Sequence, residues 1–195
     1  MRRTDSLPAT YFEEMFAGDP DPWRFETSAY EQAKYAHNLS VLGPSYRRGF
    51  EIGCANGVLT AQLSARCRTL LSIDVSETAL ARARERCAGA AGVSFARMSF
   101  PQQAPETGGF DLLVLSEVAY YWSDADLDKA AGKIAELLAP GGEMILVHWT
   151  GETDYPQSGD GAVSRLERAL AGIVAVRRSE RTKHYRLDLW ARRAP

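Results

Sequence analysis

Gly49-Phe50-Glu51-Ile52-Gly53-Cys54-Ala55-Asn56-Gly57-Val58 is the stretch that decides the fold. Gly49 to Ile52 reads as a strand and Val58 to Ala65 as a helix, with a turn of small residues between them. Such a turn lets a ligand approach the backbone, with the amides facing it. Asp74 closes the next strand, Leu70 to Asp74. About 20 residues after such a turn, an acid at a strand end reaches ribose hydroxyls. Ligands of open α/β sheets bind outside the C-terminal strand ends, so turn and acid are expected in one crevice.

The spacing separates two cofactor classes. Dinucleotide sites use G-x-G-x-x-G, whose third glycine allows close helix packing near the pyrophosphate. This chain has Gly53-x-Ala55-x-Gly57, preceded by Glu51. A glutamate repels a diphosphate but attracts the ammonium of a methionine moiety, directly or through water. The pattern favours S-adenosylmethionine over NAD, with Glu51, Gly53, Cys54, Ala55, Gly57, Asp74 and Val75 as binding candidates. The plain alternative is a strand, turn and helix that use small residues for packing alone. The combination of turn, strand order and terminal aspartate outweighs it.

Working outward, strands and helices alternate. Ser76 caps a helix running through Cys87 and stopped by Gly89. Val93 to Ala96 is a third strand, and Phe110 to Leu115 a fourth, nearly continuous in apolar residues as a strand buried on both faces should be. Ser123 and Asp126 form a capping box before a helix that carries Leu127, Ala130, Ala131, Ile134, Leu137 and Leu138 on one face. Pro140-Gly141-Gly142 breaks it, and Met144 to His148 is a fifth strand. Val163 to Leu170 reads as helix, Ile173 to Val176 starts a sixth strand, and Tyr185 to Ala191 alternates as a seventh. A short turn around Thr182 makes the last two an antiparallel hairpin. Five βα units and a hairpin give an α/β, doubly wound, mostly parallel seven-stranded sheet with one antiparallel strand, a Rossmann-like fold.

Before the sheet, the chain to about Leu42 reads as polar and helical. Asp19-Pro20-Asp21-Pro22-Trp23 is a stiff turn. Ser28 and Glu31 form a capping box for a helix with Ala29, Ala33, Ala36 and Leu39 at helical spacing. The expectation is a single domain over 1–195, with 1–42 an N-terminal helical cap or lid and 43–195 the core.

Composition excludes several classes. Apolar residues make up 45% and the formal net charge is −2, so no global charge draws the chain to nucleic acid or an anionic membrane. Arg177, Arg178, Arg181, Lys183, Arg186, Arg192 and Arg193 gather near the C-terminus; solvated strand faces explain them better than an anionic partner. Cys54, Cys67 and Cys87 make no disulfide framework and no zinc pattern, which fits a reducing cytoplasm and no metal. Met1-Arg2-Arg3-Thr4-Asp5-Ser6 lacks the apolar run of a signal peptide, and no apolar stretch approaches spanning length.

Asp21-Pro22-Trp23-Arg24, Glu51-Ile52-Gly53-Cys54-Ala55, Ile73-Asp74-Val75, Phe110-Asp111-Leu112, Glu117-Val118-Ala119-Tyr120-Tyr121 and Leu138-Ala139-Pro140-Gly141-Gly142 together carry a resemblance. From about Asp19 to about Val147 the chain resembles class I methyltransferases, and more narrowly the nodulation N-methyltransferase (NodS-type) family. The resemblance implies an S-adenosylmethionine-dependent methyltransferase, releasing S-adenosylhomocysteine and acting on amines of sugars. Many methyltransferases carry an aspartate after the third strand for the adenine amino group. Here Ala96-Arg97-Met98-Ser99-Phe100 has no carboxylate, so Met98 and Ser99 are candidates at the ring.

The fourth and fifth strands end at Leu115 and His148-Trp149, which aims Ser116, Glu117, Tyr120, Tyr121, His148 and Trp149 at the crevice. Glu117 is a candidate to orient or deprotonate an amine, or to contact the methionine end of the cofactor. His148 is a candidate base or a structural histidine. Tyr120, Tyr121, Trp122 and Trp149 offer an aromatic wall for a sugar or cationic amine, or plain core packing. Trp23 and Arg24 are candidates to cover the cofactor, with Arg24 or Lys34 on its carboxylate. The leading expectation is N-methylation of a small hydrophilic amine, by a monomer or homodimer. O-methylation of a sugar or phenol stays open, as do a NAD-dependent oxidoreductase and a cofactor-binding protein without catalysis.

Overall fold

The computed structural model describes residues 2–194; Met1 and Pro195, the ends of the expected single domain, lie outside them. The chain falls into two compact units, Pro8–Met98 and Met1–Leu7 with Ser99–Pro195.

The Pro8–Met98 unit holds α1 (Ala9–Gly18), α2 (Ala29–Val41), β1 (Tyr46–Ile52), α3 (Val58–Leu63), β2 (Cys67–Asp74), α4 (Glu77–Arg86) and β3 (Val93–Arg97). β2 pairs in parallel with β1 and with β3, Ile52 beside Ile73 and Asp74 beside Arg97. Phe50, Ile52, Leu70, Ile73, Leu80 and Ala83 are buried in its core. Serines start its helices as their sequence signals require: Ser28 Oγ accepts the Glu31 N–H and Ser76 Oγ the Ala79 N–H. Glu31 goes beyond its expected capping role. Its carboxylate forms a buried ion pair with Lys34, one turn along α2.

The other unit holds β4 (Phe110–Ser116), a single 3-10 turn (Ala119–Tyr121), α5 (Asp124–Leu137), β5 (Leu138–Trp149), α6 (Gly159–Ala169), β6 (Val174–Arg181) and β7 (Tyr185–Arg192). β4 pairs in parallel with β5, and β7 runs antiparallel to both β5 and β6, so β7 is the one reversed strand. Leu112 to Leu115 are all buried, as their unbroken apolar run requires. The strand order is β3-β2-β1-β4-β5-β7-β6. This is the expected mostly parallel, seven-stranded α/β sheet.

Three details differ from the sequence expectation. The link from β3 to β4 carries no helix, so there are not five βα units. Pro101, Pro105, Gly108 and Gly109 interrupt that link, and Gly109 takes φ 85, which a helix excludes. Next, Pro140-Gly141-Gly142 lies inside β5 rather than before it. Leu138 pairs with Phe110 and Glu143 with Leu112, and the excess residues bulge out where Gly141 takes φ 73. Finally, α6 starts earlier than Val163, because Ser158 Oγ accepts the Gly161 N–H and caps it.

Arg2 to Leu7 form a strap rather than part of a helical cap. Leu7 N–H donates to Tyr121 O at 2.9 Å and Arg3 N–H to Asp154 O at 2.9 Å. Ser6 Oγ accepts the Ser123 N–H at 2.8 Å and donates to Asp126 in a short bond. Among the described residues no helix is long and apolar enough to cross a membrane.

Candidate functional site

Parallel pairing of β1 with β2 sets the first cluster, because Gly53 leaves the sheet beside Asp74. The turn alternates in and out of the left-handed region: Gly53 φ 77, Ala55 φ 50, Gly57 φ 79. Only Ala55 carries a Cβ there, at a cost of about 1 kcal/mol. Its N–H donates to Asp74 Oδ2 at 2.8 Å, which holds the conformation. Gly57 is required twice, since a Cβ would also lie 2.8 Å from Ala83 Cα. It therefore serves close packing of α3 on α4, the part played by the third glycine of dinucleotide turns.

The amides of this turn do not face a ligand as expected. Gly53 and Cys54 N–H both donate to Ile73 O, Ala55 N–H to Asp74 and Gly57 N–H to Cys54 O. A turn that commits these amides internally forms no anion-binding nest of the kind a diphosphate needs. What it retains is close backbone approach beside a carboxylate. Asp74 Oδ1 accepts the Ser76 N–H, and burial raises the carboxyl's pKa. Val75 follows, its carbonyl taken by Arg97 Nε, and Met98 N–H donates to Asp74 O. Cys54 packs with Leu80, Ala83 and Phe95.

Glu51 is buried, with Oε2 accepting from Thr60 Oγ1 at 2.6 Å and Ser72 Oγ at 2.8 Å. Burial pushes its pKa up to about 7 against those two hydroxyl contacts, with Asp74 adding to the rise.

Sequence reasoning missed Asn56. It is fully buried, and its Nδ2 donates to Asp21 Oδ1 at 3.3 Å and Glu26 Oε1 at 3.1 Å. Arg86 completes the knot through Asn56 O and Glu26. Asp21 also accepts the Phe25 and Glu26 amides, which bends the chain so that Arg24 takes φ 59. The Pro22-Trp23-Arg24 turn is thereby tied to the glycine turn. The exposed Arg24 stands on it, while Trp23 stacks on Phe25 and meets Phe16 edge-on. Lys34 is buried against Glu31 and lies over the Tyr30 ring. No sequence signal marks Asn56, because its partners lie 30 and 35 residues away.

The second cluster forms where β4 and β5 end. Glu117, just past Ser116, takes φ 58, and its N–H donates to Val147 O. Its Oε2 accepts the Tyr120 hydroxyl at 2.7 Å and the Trp149 N–H at 2.9 Å. Tyr120 is buried, and burial together with the Glu117 charge raises its pKa well above 10. His148 is fully buried; its Nε2 accepts the Ala119 N–H at 3.1 Å, which places the imidazole proton on Nδ1. Tyr121 meets Tyr120 edge-on at 4.6 Å. Tyr155 stacks on Tyr120 at 5.5 Å with 18° between planes, and Trp149 stacks on His184. Trp122 instead packs on Phe100. Ser99 N–H donates to Gln103 Oε1. Among the described residues no group of three or more His, Cys, Asp or Glu side chains is arranged to hold a metal.

The family described as Nodulation protein S (NodS) matches residues 12–152. Nodulation protein S of Rhizobium tropici is 36% identical over 128 residues, covering 64% of this chain and 53% of that protein. Nodulation protein S of Bradyrhizobium diazoefficiens is 36% identical over 131 residues, covering 64% and 61%. The chain thus spans between half and two thirds of the length of these curated relatives. The crystal structure of N-methyltransferase NodS from Bradyrhizobium japonicum WM9, in complex with S-adenosyl-L-homocysteine, superposes with TM-score 0.80 at 25% identity, covering 94% of this chain and 97% of that one. A putative methyltransferase from Pseudomonas syringae superposes with TM-score 0.69 at 35% identity, covering 85% and 100%. The chain belongs to the Nodulation protein S (NodS) family.

Proposed function

We propose that this protein is an S-adenosylmethionine-dependent methyltransferase that methylates a nitrogen of a small hydrophilic amine, an amino sugar being the favoured class. The observation that carries the cofactor reading is the Ala55–Asp74 pairing in a turn whose amides serve the protein. That donor set suits a nucleoside without a diphosphate: a carboxylate for a ribose diol, and small residues for close approach. Gly53, Cys54, Ala55, Gly57, Asp74 and Val75 would hold the nucleoside, with Met98 at the base. Glu51, Trp23 and Arg24 are assigned to the methionine end. The NodS relative solved with S-adenosylhomocysteine supports the cofactor reading.

S-adenosylmethionine supplies a methyl group on a sulfonium, transferred by in-line displacement as the C–S bond breaks and a C–N bond forms. The protein's share is to hold the nucleophile in line and receive a proton from the nitrogen. Tyr120 donates its hydroxyl proton to Glu117, which keeps that carboxylate oriented beside the aromatic side chains where β4 and β5 end. In this reading the Glu117 carboxylate orients the nitrogen and receives its proton. Tyr120 and Tyr121 supply ring faces and edges for a cationic or sugar acceptor.

The C-terminal arginines support a small-molecule acceptor over nucleic acid or a membrane. Arg178 pairs with Glu180, Arg181 with Asp160, and Arg186 with Asp160 and Asp188. A cytoplasmic monomer or homodimer is the accompanying reading, checked by light scattering.

The deciding experiment is calorimetry with S-adenosylhomocysteine and with NADH, then isotopic methyl transfer to a panel of amines and amino sugars. Binding of the first ligand alone and an N-methyl product by mass spectrometry are expected. Binding of NADH, or a product methylated on oxygen, overturns the reading.

A further inference from the structure

The Tyr120 ring is held from outside its own segment. Tyr155 lies nearly parallel to it at 5.5 Å and edge-on to Tyr121 at 4.8 Å. The 150–158 segment that carries Tyr155 is fastened at several points. Gln157 N–H donates to Tyr120 O at 3.1 Å, and Gln157 Nε2 to Asp124 Oδ1 at 2.7 Å. Arg2 Nη1 donates to Tyr155 O at 3.0 Å and Arg3 N–H to Asp154 O. The same strap is bonded to the 3-10 turn through Leu7 N–H and Tyr121 O, and to the start of α5 through Ser6. Three separate stretches of sequence therefore converge on one aromatic trio.

We infer that Tyr155 is a positioning residue for the amine acceptor, acting through Tyr120, and that the Arg2–Leu7 strap fixes Tyr155 in that role. The inference rests on the methyltransferase reading above. Tyr120 donates its hydroxyl proton to Glu117. Oη lies on the Cβ–Cγ axis, so rotation about that axis leaves Oη in place and turns only the ring plane, in which the phenolic O–H prefers to lie; what packs on the ring faces limits that rotation. Tyr155 covers one face and Tyr121 and His148 meet the ring edge-on, which holds the ring plane, and with it the direction of the O–H toward Glu117. The stacking uses the ring of Tyr155, which a phenylalanine retains. The nucleoside-binding residues belong to other segments, so acceptor binding and cofactor binding respond differently to changes at Tyr155.

The test uses the full chain with Tyr155→Ala, Tyr155→Phe and Leu7→Pro, the last removing the N–H that bonds Tyr121 O. Acceptor KM, kcat, S-adenosylhomocysteine affinity and melting temperature are measured for each. Tyr155→Ala is expected to raise acceptor KM about tenfold, the worth of a good aromatic pair, with cofactor affinity unchanged. Leu7→Pro is expected to shift KM the same way, and Tyr155→Phe to restore it to within about threefold of the wild type. Wild-type KM in Tyr155→Ala, or Tyr155→Phe as impaired as Tyr155→Ala, overturns the inference alone. So does a parallel loss of cofactor affinity, which marks a general structural defect. A wild-type protein that neither binds S-adenosylhomocysteine nor transfers a methyl group overturns the methyltransferase reading, and the inference with it.

Discussion

Ala55 N–H donates to Asp74 Oδ2 at 2.8 Å, so the acid at the end of β2 holds the turn at the end of β1 in its left-handed form. One carboxylate thus shapes the turn and, in the proposed function, binds the ribose. Asp74→Asn, which keeps the shape and one acceptor oxygen, separates the two roles. We expect S-adenosylhomocysteine to bind about 10–100-fold more weakly, the loss of about 1.5–3 kcal/mol of charge-assisted bonding. Calorimetry on the folded variant checks it, and unchanged affinity removes the ribose assignment.

Gly57 tests the packing of the turn. Gly57→Ala places a methyl 2.8 Å from Ala83 Cα at a residue with φ 79. Left-handed strain of about 1–2 kcal/mol and a backbone clash then act together. Chemical denaturation should show a loss of about 2–4 kcal/mol. A loss under about 1 kcal/mol would mean that α3 and α4 shift apart cheaply.

Glu51 makes stability depend on pH. Its carboxyl rises from 4.5 to about 7 on folding, chiefly through burial. Between those values the folded state binds more protons than the unfolded chain, so stability falls as pH rises through the window and the penalty is complete above about 7. A rise from 4.5 to about 7 corresponds to about 3 kcal/mol at most. Glu51→Gln should therefore melt higher than the wild type at pH 8 and flatten the curve between pH 5 and 8, as ~pH-stepped calorimetry would show. A variant that melts lower at pH 8 shows that the ionised carboxylate is stabilised by Thr60 and Ser72 instead.

Glu117 and His148 should part company. His148 Nε2 already accepts the Ala119 N–H inside the core, which suits a neutral structural imidazole. His148→Ala should cost about 2–4 kcal/mol of stability, from a cavity and an orphaned amide. Its residual turnover should track the folded fraction. Glu117→Gln should retain cofactor affinity and lose about 10²–10⁴-fold in turnover. Loss of cofactor affinity in Glu117→Gln would reassign it to the methionine end. If folded His148→Ala loses turnover while Glu117→Gln keeps it, the two roles are reversed.

Asn56 ties the cap to the turn. Asn56→Ala removes both side-chain bonds to Asp21 and Glu26. Hydrogen exchange at the Phe25 and Glu26 amides should accelerate, while exchange in β1 and β2 stays as in the wild type. Unchanged protection at both amides would show that Asp21 holds its turn without Asn56.

Much of this was legible in the sequence, because it depends on local periodicity and local turn chemistry. The unbroken apolar run of Phe110 to Leu115 announced a strand covered on both faces. Ser28, Ser76 and Ser123 marked helix starts through bonds that reach only three residues along the chain. Gly53, Ala55, Gly57 and Asp74 were identified together, since parallel neighbours must end side by side. The tertiary structure decided which partner each polar group takes. It placed Ile73 O where the turn amides donate, used both acceptor duties of Glu117 Oε2, and put Nε2 of His148 on Ala119. It also joined Arg2–Leu7 to residues 121–155, and Asn56 to Asp21 and Glu26. Periodicity tells which face of an element is buried. A hydrogen bond depends on which atoms, remote in sequence, come within about 3 Å, and only the folded chain sets that distance.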